Sequence, residues 1–149
     1  MHFTTFILAA LASASATTAR ALEPQRRAVT TVGLPDPAFR IDQAVDSWQA
    51  FRVDLPATEC TLFYRFEPGF PVTQDGASQI NVRDVDGNAP GAIVGTFSIN
   101  AFDELPHVIN TFQCRDPLTV RFEIASDEQP GSVQFDADTE NGIFLSYNH

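Results

Sequence analysis

Acidic residues next to turn residues are the first groups in this chain whose types and spacing suggest chemistry. The stretch Asp84-Val-Asp86-Gly-Asn88 places oxygen-bearing side chains at alternate positions, as the calcium loop of an EF-hand does. That loop requires glycine at its sixth position and a bidentate glutamate at its twelfth, where this chain has Ala89 and Gly95. Turn formation is the simpler interpretation, because Asp, Asn and Gly are the residues that tight turns need.

A second acidic group consists of Asp136, Asp138 and Glu140. In an extended segment alternate side chains point the same way, so these carboxylates are weak candidates for binding calcium. Their alternative role is again turn formation. A closed zinc site is not expected, because the chain has only one internal histidine and two cysteines. We predict no metal and no cofactor.

Acid–base and nucleophilic catalysis find little support in the sequence. His107 is the only histidine away from the chain ends, and there is no Gly-x-Ser-x-Gly motif to supply a nucleophile. A structural role for His107 is the simpler interpretation, since the partners of a catalytic base are not visible. We therefore predict no catalytic residue and no enzymatic activity. The least favoured alternative is a small hydrolase that uses paired carboxylates, which the sequence cannot select from its many acids.

Three large aromatic residues are candidates for a ligand platform. Trp48, Phe70 and Phe102 lie near predicted strand edges or turns, where their rings could stack on a sugar. Burial in the core is the alternative, and it is favoured because large aromatic side chains are mostly buried.

The two cysteines, Cys60 and Cys114, are 54 positions apart. In an oxidising compartment an even number of cysteines indicates a disulfide, and here only one pairing exists. Closing such a loop contributes about 4 kcal/mol of stability from chain entropy. Two free thiols, or one nucleophilic thiol, are the alternatives.

The compartment is predicted from the first 27 residues. Residues 1–16 have the short apolar run and small-residue cleavage site of a signal peptide, with Ala14-Ser-Ala16 as the first site and a later one at Ala21. Residues 17–27 form a short pro-segment that ends in the dibasic pair Arg26-Arg27, a processing site or simply two surface arginines. We expect a secreted protein, extracellular or associated with the cell wall.

The charge of the chain excludes some partners. The formal charge is −10, and it becomes −12 when Arg20, Arg26, Arg27 and Glu23 leave with the leader. The sequence contains no lysine. Such a surface repels phosphate backbones, so we expect no nucleic-acid binding. No later apolar run is long enough to cross a bilayer, so we also expect no membrane insertion.

Strand and turn patterns occupy the rest of the chain. Residues 28–47 lack a clear pattern, and Pro35 and Pro37 prevent a helix, so we predict an irregular arm. Residues 48–149 contain about eight short strands separated by proline or glycine turns, with Asn141-Gly142 as the strongest hairpin signal. This pattern predicts an all-β fold, a β-sandwich of antiparallel strands with jelly-roll or Greek-key connections and one disulfide.

The segments of residues 51–148 resemble the But2-type C-terminal domain of fungal secreted proteins. The resemblance rests on Cys60-Thr-Leu-Phe-Tyr-Arg-Phe, Gly69-Phe-Pro-Val, Ser78-Gln-Ile-Asn-Val-Arg-Asp, Gly95-Thr-Phe, Val108-Ile-Asn-Thr-Phe-Gln-Cys114, Phe122-Glu-Ile and Gly142-Ile-Phe-Leu-Ser-Tyr-Asn. It implies a fungal, extracellular or wall-associated β-domain without assigned catalysis. The family name comes from a yeast protein that binds an activating enzyme of a ubiquitin-like modifier, a role that the exported compartment excludes here.

The function that we expect is that of a small non-enzymatic binding protein, wall-associated or effector-like. Its partner is an unknown protein or polysaccharide. The alternative is a carbohydrate-binding module that recognises wall polysaccharide through an aromatic platform.

Overall fold

The computed structural model describes residues 28–149. The predicted signal peptide, the pro-segment and the Arg26-Arg27 pair lie outside the described residues. Strands make up the regular structure of the described part, which contains no helix and so none long and apolar enough to span a membrane. The strands are β1 (Val29–Gly33), β2 (Ala38–Asp42), β3 (Ser47–Phe51), β4 (Thr58–Arg65), β5 (Thr73–Gly76), β6 (Ile80–Asp84), β7 (Ile93–Phe97), β8 (His107–Phe112), β9 (Leu118–Ile124), β10 (Gly131–Asp136) and β11 (Gly142–Asn148).

The strands form three antiparallel sheets. The first sheet has the order β1-β11-β4-β8, the second β2-β10-β5, and the third β3-β9-β6-β7. Each sheet turns one face toward a shared core, which is visible in the ring contacts between sheets. Tyr64 of the first sheet stacks on Phe97 of the third at 5.4 Å, and Phe39 of the second meets Phe122 of the third at 5.4 Å. The predicted sandwich-like all-β fold is confirmed at this level, and its connection type stays a prediction.

Alternation explains why these segments form half-buried strands. In β9, the apolar residues at alternate positions from Leu118 to Ile124 are buried, while Thr119, Arg121 and Glu123 point outward. In β4, Cys60, Leu62 and Tyr64 enter the core in the same way. Burial of these side chains supplies most of the driving force for folding, at roughly 25 cal/mol per Å² of apolar surface.

The irregular arm predicted for residues 28–47 is wrong. This segment contains β1, β2 and the start of β3. The strands β1, β2 and β5 were not expected, and they raise the number of described strands from eight to eleven. In β2, Phe39 and Ile41 are buried against β10 and alternate with exposed neighbours. Pro35 and Pro37 do prevent a helix, but they lie outside the strands, where they leave the ladder hydrogen bonds intact.

The hairpin predicted at Asn141-Gly142 is also wrong. The strand before this turn, β10, pairs with β2 and β5, whereas the strand after it, β11, pairs with β1 and β4. The turn therefore carries the chain from one sheet to another. Asn141 is buried, and its side-chain oxygen accepts a hydrogen bond from the Glu67 N–H at 2.6 Å. The Asn141 side chain thus stabilises a connection between two sheets and not a tight hairpin within one sheet.

The disulfide between Cys60 and Cys114 is confirmed, with 5.3 Å between the two Cα atoms. Cys60 lies on β4 and is fully buried, while Cys114 lies between β8 and β9. The bond therefore joins the central part of the first sheet to the segment that leads into the third.

Candidate functional site

The three aromatic platform candidates lie in different surroundings. Trp48 on β3 is 57% exposed, and Phe102 in the β7–β8 connection is 88% exposed, so the core role favoured for them is wrong. Phe70 is partly buried and packs on Phe66, with 5.6 Å between ring centroids. No ring contact among the three is found within residues 28–149, and a single shared platform is not formed.

Trp48 has a fixed support in the neighbouring strand. The register of β3 and β9 places Trp48 directly opposite Arg121 on the outer face of the third sheet. The Arg121 guanidinium carbon lies 5.1 Å from the centroid of the Trp48 ring. A cation at this distance from an indole face is attracted by the ring quadrupole. This contact favours one orientation of the ring, while Trp48 remains 57% exposed.

Arg121 is itself held by carboxylates. Its terminal nitrogen lies 3.5 Å from Glu123, and its Nε lies 3.6 Å from Asp46. Glu123 also accepts a hydrogen bond from Arg83 on β6 at 2.5 Å. The Arg121 Nε is buried and has no hydrogen-bond partner among the described residues, so this arrangement costs free energy. We call Trp48, Arg121, Glu123, Asp46 and Arg83 the Trp48 surface.

The strand that carries Trp48 is anchored from its inner face. Gln49 is almost fully buried. Its side-chain oxygen accepts a hydrogen bond from the Asp36 N–H at 3.0 Å, and its amide donates to the Asp36 carbonyl at 3.2 Å. The same amide donates to Ser47 Oγ at 2.9 Å. These bonds satisfy a buried polar side chain and tie the residues on either side of Trp48 to the segment before β2.

An acidic cleft of about 220 Å³ borders the Trp48 surface, with which it shares Asp46 and Glu123. Asp42 and Asp127 add two more carboxylates to its lining. Asp42 accepts hydrogen bonds from the N–H groups that follow it in its own turn. Three of the four acids thus have structural partners. The cleft supplies hydrogen-bond acceptors next to an exposed aromatic ring.

The first acidic group of the sequence is a structural ion-pair cluster. Asp84 is buried and accepts hydrogen bonds from the N–H groups of Gly87 and Ala89, which close the turn. Arg115 binds both Asp84 and Asp86, each at 2.8 Å. Burial alone would raise the pKa of Asp86, but hydrogen bonds from Thr119 and Arg115 outweigh it and hold that pKa below its usual value. These contacts agree with the role in turn formation and not with an EF-hand-like calcium loop.

The carboxylates of the second acidic group, Asp136, Asp138 and Glu140, also bind separate partners and do not face a common point. Asp136 pairs with Arg40 at 2.9 Å, and Glu140 pairs with Arg65 at 3.7 Å. Asp138 accepts hydrogen bonds from the N–H groups of Glu140 and Asn141, at 2.8 and 2.7 Å, which lower its pKa. Within the part of the chain that the structure describes, no group of three or more His, Cys, Asp or Glu side chains is placed to hold a metal ion.

His107 has an acidic partner that the sequence did not reveal. Its Nε2 lies 2.8 Å from Asp103, four positions earlier, and its ring stacks on Tyr64 at 4.8 Å. The hydrogen bond from His107 lowers the pKa of Asp103. Burial raises the pKa of Tyr64, whose hydroxyl donates to the Ser98 carbonyl at 3.1 Å. Among the described residues, the His107 side chain hydrogen-bonds to a carboxylate and not to a hydroxyl or thiol that could act as a nucleophile.

Sequence reasoning found Trp48 but missed the side chains that support it. Arg121 and Glu123 were visible only as the polar side of an alternating strand. Their position next to Trp48 depends on which strands are neighbours and in what register, and neither can be read from one sequence.

Comparisons with models of known families, with curated proteins and with solved structures found no match for this chain. The resemblance to the But2-type domain stays a prediction.

Proposed function

We propose that this protein is a non-enzymatic extracellular binding protein and that the Trp48 surface binds polysaccharide. The fungal, wall-associated setting that the But2-type resemblance implies belongs to the same proposal. Under this proposal, one face of a sugar ring packs on the exposed side of Trp48. The sugar hydroxyls bond to the carboxylates of the adjacent acidic cleft.

The observation that carries the proposal is the supported exposure of Trp48. A single exposed apolar side chain is ordinary on a protein surface and has no meaning by itself. Here, however, the ring lies beside the guanidinium of Arg121, which two carboxylates hold in place. A ring whose orientation is already favoured loses less conformational freedom when a ligand stacks on it, and this favours binding.

The pattern of contacts favours binding over hydrolysis. Glycoside hydrolysis requires one carboxyl group that protonates the leaving group and a second that acts as base or nucleophile. In the acidic cleft, Glu123 and Asp46 form ion pairs with Arg121. Asp42 accepts hydrogen bonds from its own turn, so of the four acids only Asp127 has no partner among the described residues. One unpaired carboxylate is not the pair of carboxyl groups that glycoside hydrolysis requires.

The proposal is tested by retention on insoluble chitin and insoluble β-glucan. We expect the wild-type chain to be retained on at least one of them and Trp48→Ala to be released at lower competitor concentration. Trp48→Phe keeps an aromatic ring and should retain an intermediate amount. Phe102→Ala removes a second exposed ring and serves as the matched control. Absence of retention, or equal retention of Trp48→Ala, would argue against polysaccharide binding at this surface.

A protein partner is the second candidate, and the β7–β8 region favours it. Phe102, Leu105 and Val108 are all exposed within one short stretch. Exposed apolar side chains that lie close together mark protein-interaction surfaces more often than isolated ones do. Phe102→Ser with Leu105→Ser should abolish capture of such a partner while leaving polysaccharide retention unchanged.

A further inference from the structure

Two phenylalanines point away from the core on the central strands of the first sheet. In β4 the core side chains are Cys60, Leu62 and Tyr64, so Phe63 faces outward. The register pairs Phe63 with Phe144 on β11, and their rings stack at 5.5 Å. An aromatic pair on the outer face of a sheet contributes nothing to the main core.

These two rings are nevertheless buried. Phe63 is 9% exposed and Phe144 is 3% exposed, although neither belongs to the cluster of core residues. The guanidinium of Arg65 lies 5.3 Å from the centroid of the Phe144 ring. Arg65 is held over the ring by Glu140, whose carbonyl accepts a hydrogen bond from its Nε at 3.2 Å. Arg65 therefore covers part of the Phe144 ring on the outer face of the sheet.

A cavity of about 510 Å³ lies beside this pair. Its volume falls within the range of roughly 300–1,000 Å³ that is common for small-ligand sites. Gly33 on β1 pairs with Phe144 on β11 and has no side chain to fill the cavity. We call this space the outer cavity; its lining residues are Thr31, Gly33, Leu34, Pro37, Phe63, Arg65, Ala137, Asp138, Thr139 and Phe144.

The lining determines the chemistry of a ligand. Six of the residues are apolar or lack a side chain and four are polar, so a ligand needs both an apolar face and a polar edge. The polar residues include one cation, Arg65, and one anion, Asp138, which favours a neutral ligand over a charged one. Thr31 and Thr139 add hydroxyl groups that donate and accept hydrogen bonds. A pyranose ring has this combination of C–H faces and hydroxyl edges.

We propose that the outer cavity is a second carbohydrate site that takes one neutral pyranose unit of the polysaccharide. The ligand class rests on the proposed function, whereas the site itself rests on the outward aromatic pair and its cavity. The first and third sheets both turn their inner faces to the same core, so the outer cavity and the Trp48 surface lie on different outer faces. A chain with both sites would bridge two polysaccharide strands.

The test uses NMR signals of the folded chain with short soluble oligosaccharides of chitin and of β-glucan as probes. The indole N–H of Trp48 reports the Trp48 surface alone, because it is the only tryptophan. The backbone N–H signals of Thr31, Gly33 and Thr139 report the outer cavity. We expect both sets to shift with one of the probes, and the cavity signals to shift equally in Trp48→Ala.

Two variants test the cavity itself. Gly33→Leu should fill it, since a Cβ at this position would meet the Phe144 ring at an ordinary distance of 3.8 Å. Arg65→Met removes the guanidinium and should raise the dissociation constant obtained from the cavity shifts by about tenfold or more, as expected for a lost charged hydrogen bond. In Gly33→Leu the cavity shifts should vanish while the indole shift remains.

Three outcomes would overturn the second site. They are the absence of cavity shifts with either sugar probe, cavity shifts that are unchanged in both variants, and cavity shifts that occur only with a detergent lacking a sugar head group. An indole shift in the same samples would leave the proposed function standing. Its absence would remove the proposed function separately.

Discussion

The guanidinium of Arg121 lies 5.1 Å from the centroid of the Trp48 ring, on the neighbouring strand and directly opposite in register. This pair links a surface tryptophan to a charge network that runs through Glu123 to Arg83 on the next strand. The orientation of the exposed ring therefore depends on side chains from three adjacent strands. Binding at this surface should be sensitive to residues that never touch the ligand.

The first prediction concerns the support of Trp48. Arg121→Met should retain the fold but release the ring, because methionine keeps an apolar stem and loses the cation–π contact, worth about 0.5–1 kcal/mol at exposed sites. Fluorescence anisotropy of the single tryptophan should fall, and polysaccharide retention should weaken by less than in Trp48→Ala. The comparable change Arg52→Met, at an exposed arginine paired with Asp116, should alter neither quantity. Unchanged anisotropy in Arg121→Met would show that the arginine does not orient the ring.

The second prediction concerns the disulfide. Replacing both Cys60 and Cys114 by alanine should lower the free energy of unfolding by about 4 kcal/mol through the entropy of the open chain, with a further cost at the buried Cys60 position. Urea unfolding of the oxidised chain, the reduced chain and the double variant measures the effect. The reduced wild-type chain separates loss of the bond from loss of packing. Equal stability of oxidised and reduced chains would contradict the prediction.

The third prediction separates ion-pair chemistry from calcium binding at the β6–β7 turn. Asp84→Asn should lower the free energy of unfolding by about 2 kcal/mol, because it weakens charged hydrogen bonds from Arg115 and from two turn amides. Asp75→Asn, at an exposed position of β5, should change stability little. Thermal unfolding should be the same in calcium and in EDTA. A rise in the melting temperature with calcium that Asp84→Asn abolishes would restore the metal interpretation.

The fourth prediction concerns acid stability. Hydrogen bonds lower the pKa values of Asp103 and Asp138 in the folded chain, and those at Asp86 outweigh the effect of burial. A lowered native pKa means that the unfolded chain takes up protons first as the pH falls. The stabilisation is complete above the unfolded value of about 3.9 and is lost as the pH falls through the native values.

Melting temperatures from neutral pH down to strongly acidic pH test this. The decrease should begin near pH 4 and should be shallower in Asp86→Asn and Asp138→Asn than in the wild type. Asp75→Asn is the control, and its profile should follow that of the wild type. A profile that is equally steep in all four chains would assign acid sensitivity to other groups.

Periodicity predicted the strands with one clear apolar face, such as β9, and the all-β class. It failed at β2, where two prolines obscured the alternation of Phe39 and Ile41. It also failed at Asn141-Gly142, because a turn signal does not say whether the following strand joins the same sheet. Local propensity describes segments, whereas pairing between distant strands is decided by the whole core.

In the candidate sites, too, residue types could be read from the sequence but the pairing of distant strands could not. Trp48 was a platform candidate because of its residue type and its place near a predicted strand edge, with core burial favoured, but its exposure and its arginine support depend on strand register. Phe63 lies on the outward side of β4, and its partner Phe144 is 81 positions away. Such a pair becomes visible only when the two strands are placed side by side.

The most direct measurement is a titration of tryptophan fluorescence with soluble oligosaccharides of chitin and β-glucan. Because Trp48 is the only tryptophan, the tryptophan emission reports the environment of the ring at the proposed binding surface. We predict a saturable shift of the emission to shorter wavelength, as the ring leaves water, with one of the two sugars, and weaker binding in Arg121→Met. Emission that stays unchanged at saturating sugar, while the chain is folded and its disulfide is intact, would contradict polysaccharide binding by the Trp48 surface.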